Sequence, residues 1–268
     1  MLFRSGAPVP LDQTTRVVEF NDLDAMEVAL KQGDVACILL EPAMTNVGIV
    51  LPETGYHVAL RDLATKYGAL LIIDETHTIS AGPGGMTERD RLKPDLLTIG
   101  KSIGGGIPTG AFGMSEDVAN RIARLVRRDW IDTGGIGGTL AGNALSLAAM
   151  RSTLTQVMTK ENFARMIPLG DRWSDGVDAV IKSCDLPWHC NRLGARGEYN
   201  FSAKAPRTGA EAAAAGDFAI EQYLHLKLLN DGFLLTPFHN MALISPDTTK
   251  ADVDAHTEAL MATCKELS

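Results

Sequence analysis

Lys101 stands in the run Thr98-Ile99-Gly100-Lys101-Ser102-Ile103-Gly104-Gly105-Gly106, and two kinds of chemistry compete for it. Gly-Lys-Ser closes a phosphate-binding P-loop, but that loop needs a glycine at position 95, which is Asp. Its glycines also belong ahead of the lysine, whereas here three follow it. The P-loop is therefore excluded. The other reading is a nucleophilic amine that condenses with an aldehyde, made reactive by burial and nearby cations. Against it stands a solvated surface lysine, the commonest fate of this residue type. Asp74 adds to the case for chemistry. It ends the apolar run Ala69-Leu70-Leu71-Ile72-Ile73, and a carboxylate at the end of a buried strand needs a positive partner or hydrogen-bond donors. A pyridinium nitrogen would be such a partner; an N-cap or an ordinary salt bridge is the alternative. Gly138-Thr139 closes a glycine-rich turn ahead of a long helical pattern, where backbone N–H groups and a hydroxyl suit a phosphate.

The elements that must position these groups alternate. Residues 35–40, 69–73 and 95–99 are short continuous apolar runs, and 110–114 is a candidate fourth strand. Residues 54–67 place Tyr56, Leu60, Leu63 and Tyr67 on one helical face, with Gly68 as the stop. Such runs separated by helices predict a parallel sheet covered on both faces, with functional residues at the carboxyl ends of the strands. Helices are expected over 116–128, with Val118, Ile122, Leu125 and Val126 inward, and over 141–158. The remainder reads as a smaller α+β unit. It has a helical stretch over 161–183 interrupted by Pro168, strand and turn over 192–202, and an Ala-rich helix over 211–230. Short strands are expected over 233–236 and 241–244. A last helix over 250–265 turns Val253, Leu260 and Cys264 inward. The expected division is 1–157 and 158–268.

Composition narrows the partners. The 268 residues carry 25 Lys+Arg against 33 Asp+Glu, a net charge of −8, which argues against nucleic acid as the main partner. No apolar run reaches membrane-span length, and the first residues lack the pattern of a signal peptide. The expectation is a cytoplasmic, soluble-type chain. Four cysteines without a CxxC pair predict neither a disulfide framework nor a zinc site; Cys184, His189 and Cys190 cluster without a second ligand pair. Cys37, inside the first apolar run, is expected to be a small buried hydrophobe.

Taken in order, several segments resemble one family. Glu41-Pro42, Asn46-Val47-Gly48, Pro52 and the stretch from Leu63 through Asp74-Glu75-Thr76-His77-Thr78 resemble class III pyridoxal-phosphate aminotransferases, most of all glutamate-semialdehyde aminomutases. So do Lys93-Pro94-Asp95 through Ile107-Pro108-Thr109-Gly110-Ala111, Gly138-Thr139-Leu140-Ala141-Gly142-Asn143, and Leu229 through Pro237. The resemblance implies a fold-type I transferase with pyridoxal 5'-phosphate as cofactor, working as a homodimer with shared active sites. Lys101 would form the Schiff base and then move protons. Asp74 would keep the ring nitrogen protonated. Gly138 and Thr139 would reach the phosphate of the neighbouring subunit's cofactor. Glu41 would support the hydrogen bonding of the site.

Departures from the family pattern shape the remaining expectations. Thr76 replaces a branched apolar residue behind the ring, similar in shape but polar. His77 follows it, either as a bystander or hydrogen-bonded to Asp74 or to the ring oxygen. Arg192 and Arg196 are the candidates for gripping a substrate carboxylate, with Arg196 preferred over the alternative of a surface arginine in a turn. His239 and Asn240 are expected at the substrate entrance. The family's upstream phosphate loop and ring-stacking aromatic have no counterpart ahead of Glu41, which predicts a partial large domain plus the small domain. The expected reaction moves an amino group from an amino acid or amine to a carbonyl acceptor. Two alternatives stand beside it: an aminomutase using the same machinery, and a non-catalytic binding chain.

Overall fold

The computed structural model describes residues 9–125, 140–236 and 239–267. Helix α1 (Leu23–Leu30) starts at Asp22, whose side chain accepts a hydrogen bond from the Ala25 backbone N–H. Strand β1 (Cys37–Leu40) leads to α2 (Tyr56–Tyr67), which stops at Gly68 in the left-handed region. Strand β2 (Leu70–Asp74) follows, then a 3₁₀ turn (Thr78–Ala81) and the short α3 (Gly85–Arg89). Strand β3 (Leu96–Gly100) runs into a 3₁₀ turn (Lys101–Gly104), then come β4 (Gly110–Met114) and α4 (Glu116–Leu125). The four strands form one sheet in chain order. β1 to β3 are parallel and β4 is antiparallel to β3, so the sheet is mixed and mostly parallel.

This sheet departs from the expected double cover. Ile38, Leu71 and Ile73 are buried against α1 and α2 in a core that includes Leu30, Tyr56 and Leu60. On the opposite face Leu39 is 65% exposed and Phe112 is 47% exposed. Cys37 shares that face and is exposed, which corrects its reading as a buried residue. The physical reason is position: β1 is an edge strand among the described residues, and alternation turns Cys37 and Leu39 away from the α1–α2 side. In α4 Val118 is buried and Ile122 half-buried; Val126 and the Leu125 side chain lie outside the described residues.

Helix α5 (Ala144–Ser152) continues into a π-helical turn (Thr153–Val157). Then come α6 (Lys160–Ser183), β5 (His189–Leu193), β6 (Arg196–Asn200), α7 (Gly209–Ala214), α8 (Phe218–Asn230), β7 (Met241–Leu243) and α9 (Lys250–Lys265). The strands form an antiparallel sheet in the order β5-β6-β7. Its core combines Phe163, Trp173 and Val177 of α6 with Tyr199, Leu224 and Leu260. Three expectations change here. Pro168 does not break α6: it and Ala164, whose carbonyl it leaves without a donor, are both exposed, so water satisfies the lost bond. The helix expected over 211–230 splits because Asp217 caps α8, accepting from the N–H groups of Ala219 and Ile220. Residues 233–236 form no ladder, although Phe233 and Leu235 still pack on the core while Leu234 faces out. Among the described residues, no helix is long and apolar enough to cross a membrane.

His256 of α9 lies in this core between the rings of Trp173 and Phe233, each with its centroid 5.5 Å away. Neither of its ring nitrogens has a hydrogen-bond partner among the described residues, and burial pushes its pKa down to about 4. The unfolded chain therefore binds this proton near pH 6.5, and the folded chain not until about pH 4. Stability from this group is intact above pH 6.5 and falls as pH drops through that window, by about 1.4 kcal/mol per unit. In urea unfolding at pH 7 and pH 5, His256→Leu is expected to be less acid-sensitive than the parent by about 2 kcal/mol. Equal acid sensitivity would remove this assignment.

Candidate active site

The carboxyl ends of the three parallel strands converge. Glu41 follows β1, Asp74 ends β2, and Lys101 follows β3. Beyond β1 the chain folds back on itself through an antiparallel bridge between Met44 and Val50, which buries Thr45 completely. Thr45 Oγ1 donates to Glu41 Oε2 and lies 2.7 Å from His77 Nδ1. His77 Nε2 meets Lys101 Nζ. Lys101 itself has a φ of 49°, a left-handed conformation that is uncommon for a non-glycine residue. Asp74 Oδ1 accepts from the Thr76 backbone N–H at 2.8 Å.

The next residue, Glu75, is 1% exposed. Its carboxylate accepts from the backbone N–H groups of Met86 and Thr87 and from the hydroxyls of Thr78 and Thr87. Gly85, at a φ of 64°, makes room for it: a Cβ there would stand 2.4 Å from Glu75 Oε2. This clamp fixes the turn Thr78–Ala81, onto which the β5–β6 hairpin docks. Ala195 N–H donates to the Ser80 carbonyl at 2.9 Å, and a Cβ on Gly194 would stand 2.6 Å from Ala81 Cα.

Docking carries β6 to the site. Arg196 is 2% exposed, with Nη2 donating to the Thr45 carbonyl at 2.7 Å and to Glu198 Oε2 at 2.9 Å. The other oxygen of Glu198 faces His239 Nδ1 at 2.8 Å. Arg196 Nε is buried without a hydrogen-bond partner among the described residues. A cavity of about 540 Å³ opens between the two sheets, and Thr76, His77, Lys101, Arg196 and His239 line it.

The electrostatics follow from this crowding. Burial pushes His77 down to about pKa 4, helped by the positive charges of Lys101, Arg196 and His239, with Asp74 opposing. Burial raises the Glu41 carboxyl; the Thr45 hydrogen bond opposes this, Asp74 reinforces it, and Arg196 opposes it again. The arrangement joins an amine, a neutral imidazole and a carboxylate in one hydrogen-bonded line.

The family model "Aminotransferase class-III" matches residues 7–263. The chain belongs to this family. It is 34% identical to glutamate-1-semialdehyde 2,1-aminomutase of Opitutus terrae, covering 98% of this chain and 61% of that protein. A crystal structure of a glutamate-1-semialdehyde-aminomutase from Pseudomonas aeruginosa PAO1 is 49% identical and superposes with a TM-score of 0.94, covering 99% of this chain and 60% of that one. A substituted form of that enzyme is a complex with PMP, at 48% identity and a TM-score of 0.92, covering 98% of this chain and 60% of that one. A β-phenylalanine aminotransferase from Variovorax paradoxus is 27% identical with a TM-score of 0.82, covering 92% of this chain and 56% of that one. The fold is that of the fold-type I pyridoxal-phosphate-dependent aminotransferases. The chain spans about 60% of the length of these relatives.

The structure thus brings Glu41, Asp74, Thr76, His77 and Lys101 of this aminotransferase-family chain to adjacent strand exits, and adds Arg196 and His239 from the second half. His77 bonds Thr45 and Lys101; Asp74 reaches it as a charge, not as a hydrogen-bond partner. Arg192 is elsewhere, paired with Asp175 and Asp178 of α6. Arg196 is buried, which overturns its alternative reading as a surface arginine. Asn240 meets β6 through its carbonyl, which accepts from Tyr199 N–H at 3.0 Å. Gly138 and Thr139 lie outside the described residues. Sequence reasoning missed Thr45 and Glu198. The second had a signal: Arg196 and Glu198 are two apart on a strand and therefore share a face. Thr45 had none, since only the fold-back after β1 brings its hydroxyl beneath His77.

Glu75→Ala is expected to cost on the order of 3 kcal/mol, because it leaves buried donors without an acceptor. Chemical denaturation measures this directly. A loss below about 1 kcal/mol would show that the turn holds without the clamp.

Proposed function

We propose that this chain provides the amine-handling half of a pyridoxal-phosphate-dependent aminotransferase site. In this reading residues 1–157 belong to the cofactor-binding domain and residues 158–268 form the small domain. The observation that carries it is the placement of Lys101 and Asp74 at neighbouring parallel strand exits, beside a cavity walled by Thr76 and Arg196. The donor set fits the group. An amine can condense with an aldehyde, and a carboxylate on the adjacent strand can face a ring nitrogen. The buried, unpaired Arg196 Nε offers a donor to an anion.

When bound, pyridoxal phosphate supplies the electron sink for breaking bonds at the amine-bearing carbon. The chain supplies the rest. Lys101 would hold the cofactor and would be the group that moves a proton at that carbon. Asp74 would keep the ring nitrogen protonated, and Thr76, which lines the cavity, would pack against the ring. Gly138 and Thr139 serve the phosphate across the subunit boundary. Arg196 grips a substrate carboxylate, with Glu198 balancing its charge, and His239 and Asn240 flank the entrance. The cavity takes a small amino compound and a small carbonyl acceptor. An aminomutase is the second reading, favoured by the 49% identity to a glutamate-1-semialdehyde-aminomutase.

A homodimer is part of the proposal. Leu140, in the turn ahead of α5, and Leu145 and Leu147, in its first turn, are 79%, 65% and 50% exposed, apolar surface that a second copy of this chain would cover. Leu145→Glu with Leu147→Glu is expected to halve the mass seen by light scattering. A monomeric parent would remove this part.

The central test is spectroscopic. Addition of pyridoxal phosphate to the purified chain is expected to give a visible absorption band that Lys101→Ala abolishes. No Lys101-dependent band would leave the chain as a non-catalytic member of its family. With a band present, an amine-donor screen separates transferase from mutase: transferase activity requires a separate carbonyl acceptor.

A further inference from the structure

We propose that His77, Thr45 and Glu41 form a proton relay that serves Lys101. The proposal rests on the reading of Lys101 as the reacting amine, and it assigns a route for the proton that this amine sheds.

The direction of the line follows from counting hydrogens. Thr45 has a single hydroxyl proton, and it donates that proton to Glu41. The contact between Thr45 Oγ1 and His77 Nδ1, 2.7 Å long, must then run the other way, from Nδ1–H to Oγ1. Neutral His77 therefore carries its proton on Nδ1 and presents the bare Nε2 lone pair to Lys101 Nζ. That is an acceptor aimed at the amine, with its tautomer set by a fully buried threonine.

The transfer balances without any further reactant. The Nζ–H bond of Lys101 breaks as Nε2–H forms. The Nδ1–H bond breaks as a new Oγ1–H forms, and the old Thr45 O–H breaks as Oε2–H forms on Glu41. His77 ends neutral with its tautomer exchanged, and the proton rests on Glu41. The surroundings of His77 favour passage over storage. Lys101 faces it from the β3 exit, Arg196 from β6, and His239 from the segment before β7, while Asp74 opposes from the end of β2. Burial and these cations disfavour an imidazolium, which His77 would form only near pH 4. Glu41 is set up to receive: burial raises its carboxyl, so the protonated form is the easier one to bury. His77 touches the reacting nitrogen and acts as the base. Thr45 and Glu41 act through it and are positioning residues.

The test measures the rate at which trinitrobenzenesulfonate modifies Lys101, followed by peptide mass spectrometry from pH 7 to pH 10. Attack by the amine releases a proton, so the relay accelerates it where hydroxide is scarce. Thr45→Val keeps the shape but breaks the line. At pH 7 it is expected to slow modification by at least about tenfold, and His77→Leu by at least as much. Thr45→Ser retains the hydroxyl and is expected to keep the parent rate. All rates are expected to converge at pH 10. Equal rates for Thr45→Val and the parent at pH 7 would overturn the relay. So would a loss of the same size at every pH, or one that serine does not rescue, since a merely structural role would act that way. If His77→Leu does not fold, the two Thr45 variants decide the matter. The underlying reading fails separately, through the absence of a Lys101-dependent band with pyridoxal phosphate.

Discussion

Glu75 carries its carboxylate at 1% exposure, a placement that is costly unless donors converge on it. They do: two backbone N–H groups and two hydroxyls from residues 78–87 meet it. That convergence does more than satisfy one charge. It turns the chain after β2 into a rigid platform, and the platform is where the second sheet lands. The Ser80 carbonyl receives Ala195 N–H, and Gly194 fits against Ala81 where no side chain could. Without a fixed turn at 78–81, Arg196 would have no reason to line the same cavity as Lys101. One buried carboxylate thus sets the geometry between the two halves.

A second tie reinforces the first. The fold-back after β1 offers two carbonyls to the second sheet. Ile49 accepts from the Asn191 side chain at 2.6 Å, and Thr45 accepts from Arg196 at 2.7 Å. Thr45 therefore has two separate duties. Its carbonyl holds the guanidinium, and its hydroxyl joins Glu41 to His77. The dense charge of the site stays tolerable because the buried Arg196 is paired and Lys101 keeps access to solvent. Arg196 has Glu198, Glu198 has His239, and His77 remains neutral between Lys101 and Glu41. A small cavity can then hold several ionisable groups while leaving Arg196 Nε uncommitted.

Much of this was legible in the residues. Apolar runs of strand length placed β1 to β4 within two residues, and their ends pointed to Asp74 and Lys101 because parallel strands gather function at their carboxyl edge. The last helix matches its expected span at both ends, helped by a threonine cap at position 249. What stayed hidden depends on contacts distant in sequence. Cys37 reads as buried because its run is apolar, yet edge position and alternation leave it exposed. Pro168 reads as a break because local propensity cannot see the buried stripe that carries α6 past it. Thr45 is an anonymous polar residue until the fold-back brings its hydroxyl to His77, and Glu198 carries only its spacing from Arg196 as a signal. Groups at the ends of local patterns are readable, whereas a hydroxyl such as that of Thr45, joined to the site only by a fold-back, is not.

Lys101 shows why the local pattern around it takes the form it does. A non-glycine residue in the left-handed region costs about 1 kcal/mol or more, and such strain persists only where the surroundings over-determine it. Here the strand and the glycine-rich turn do so from both sides. Gly100 pairs with Gly110 at the last rung shared by β3 and β4, and Gly105 and Gly106 adopt positive φ to bring the chain back. The turn is therefore anchored at both ends, and the lysine backbone has to take up the reversal between them. Its side chain meets His77, which lies just beyond the exit of β2. The glycines after Lys101, which argue against a phosphate-binding loop in the sequence, fit this purpose instead: they bend the backbone so that one amine faces one imidazole.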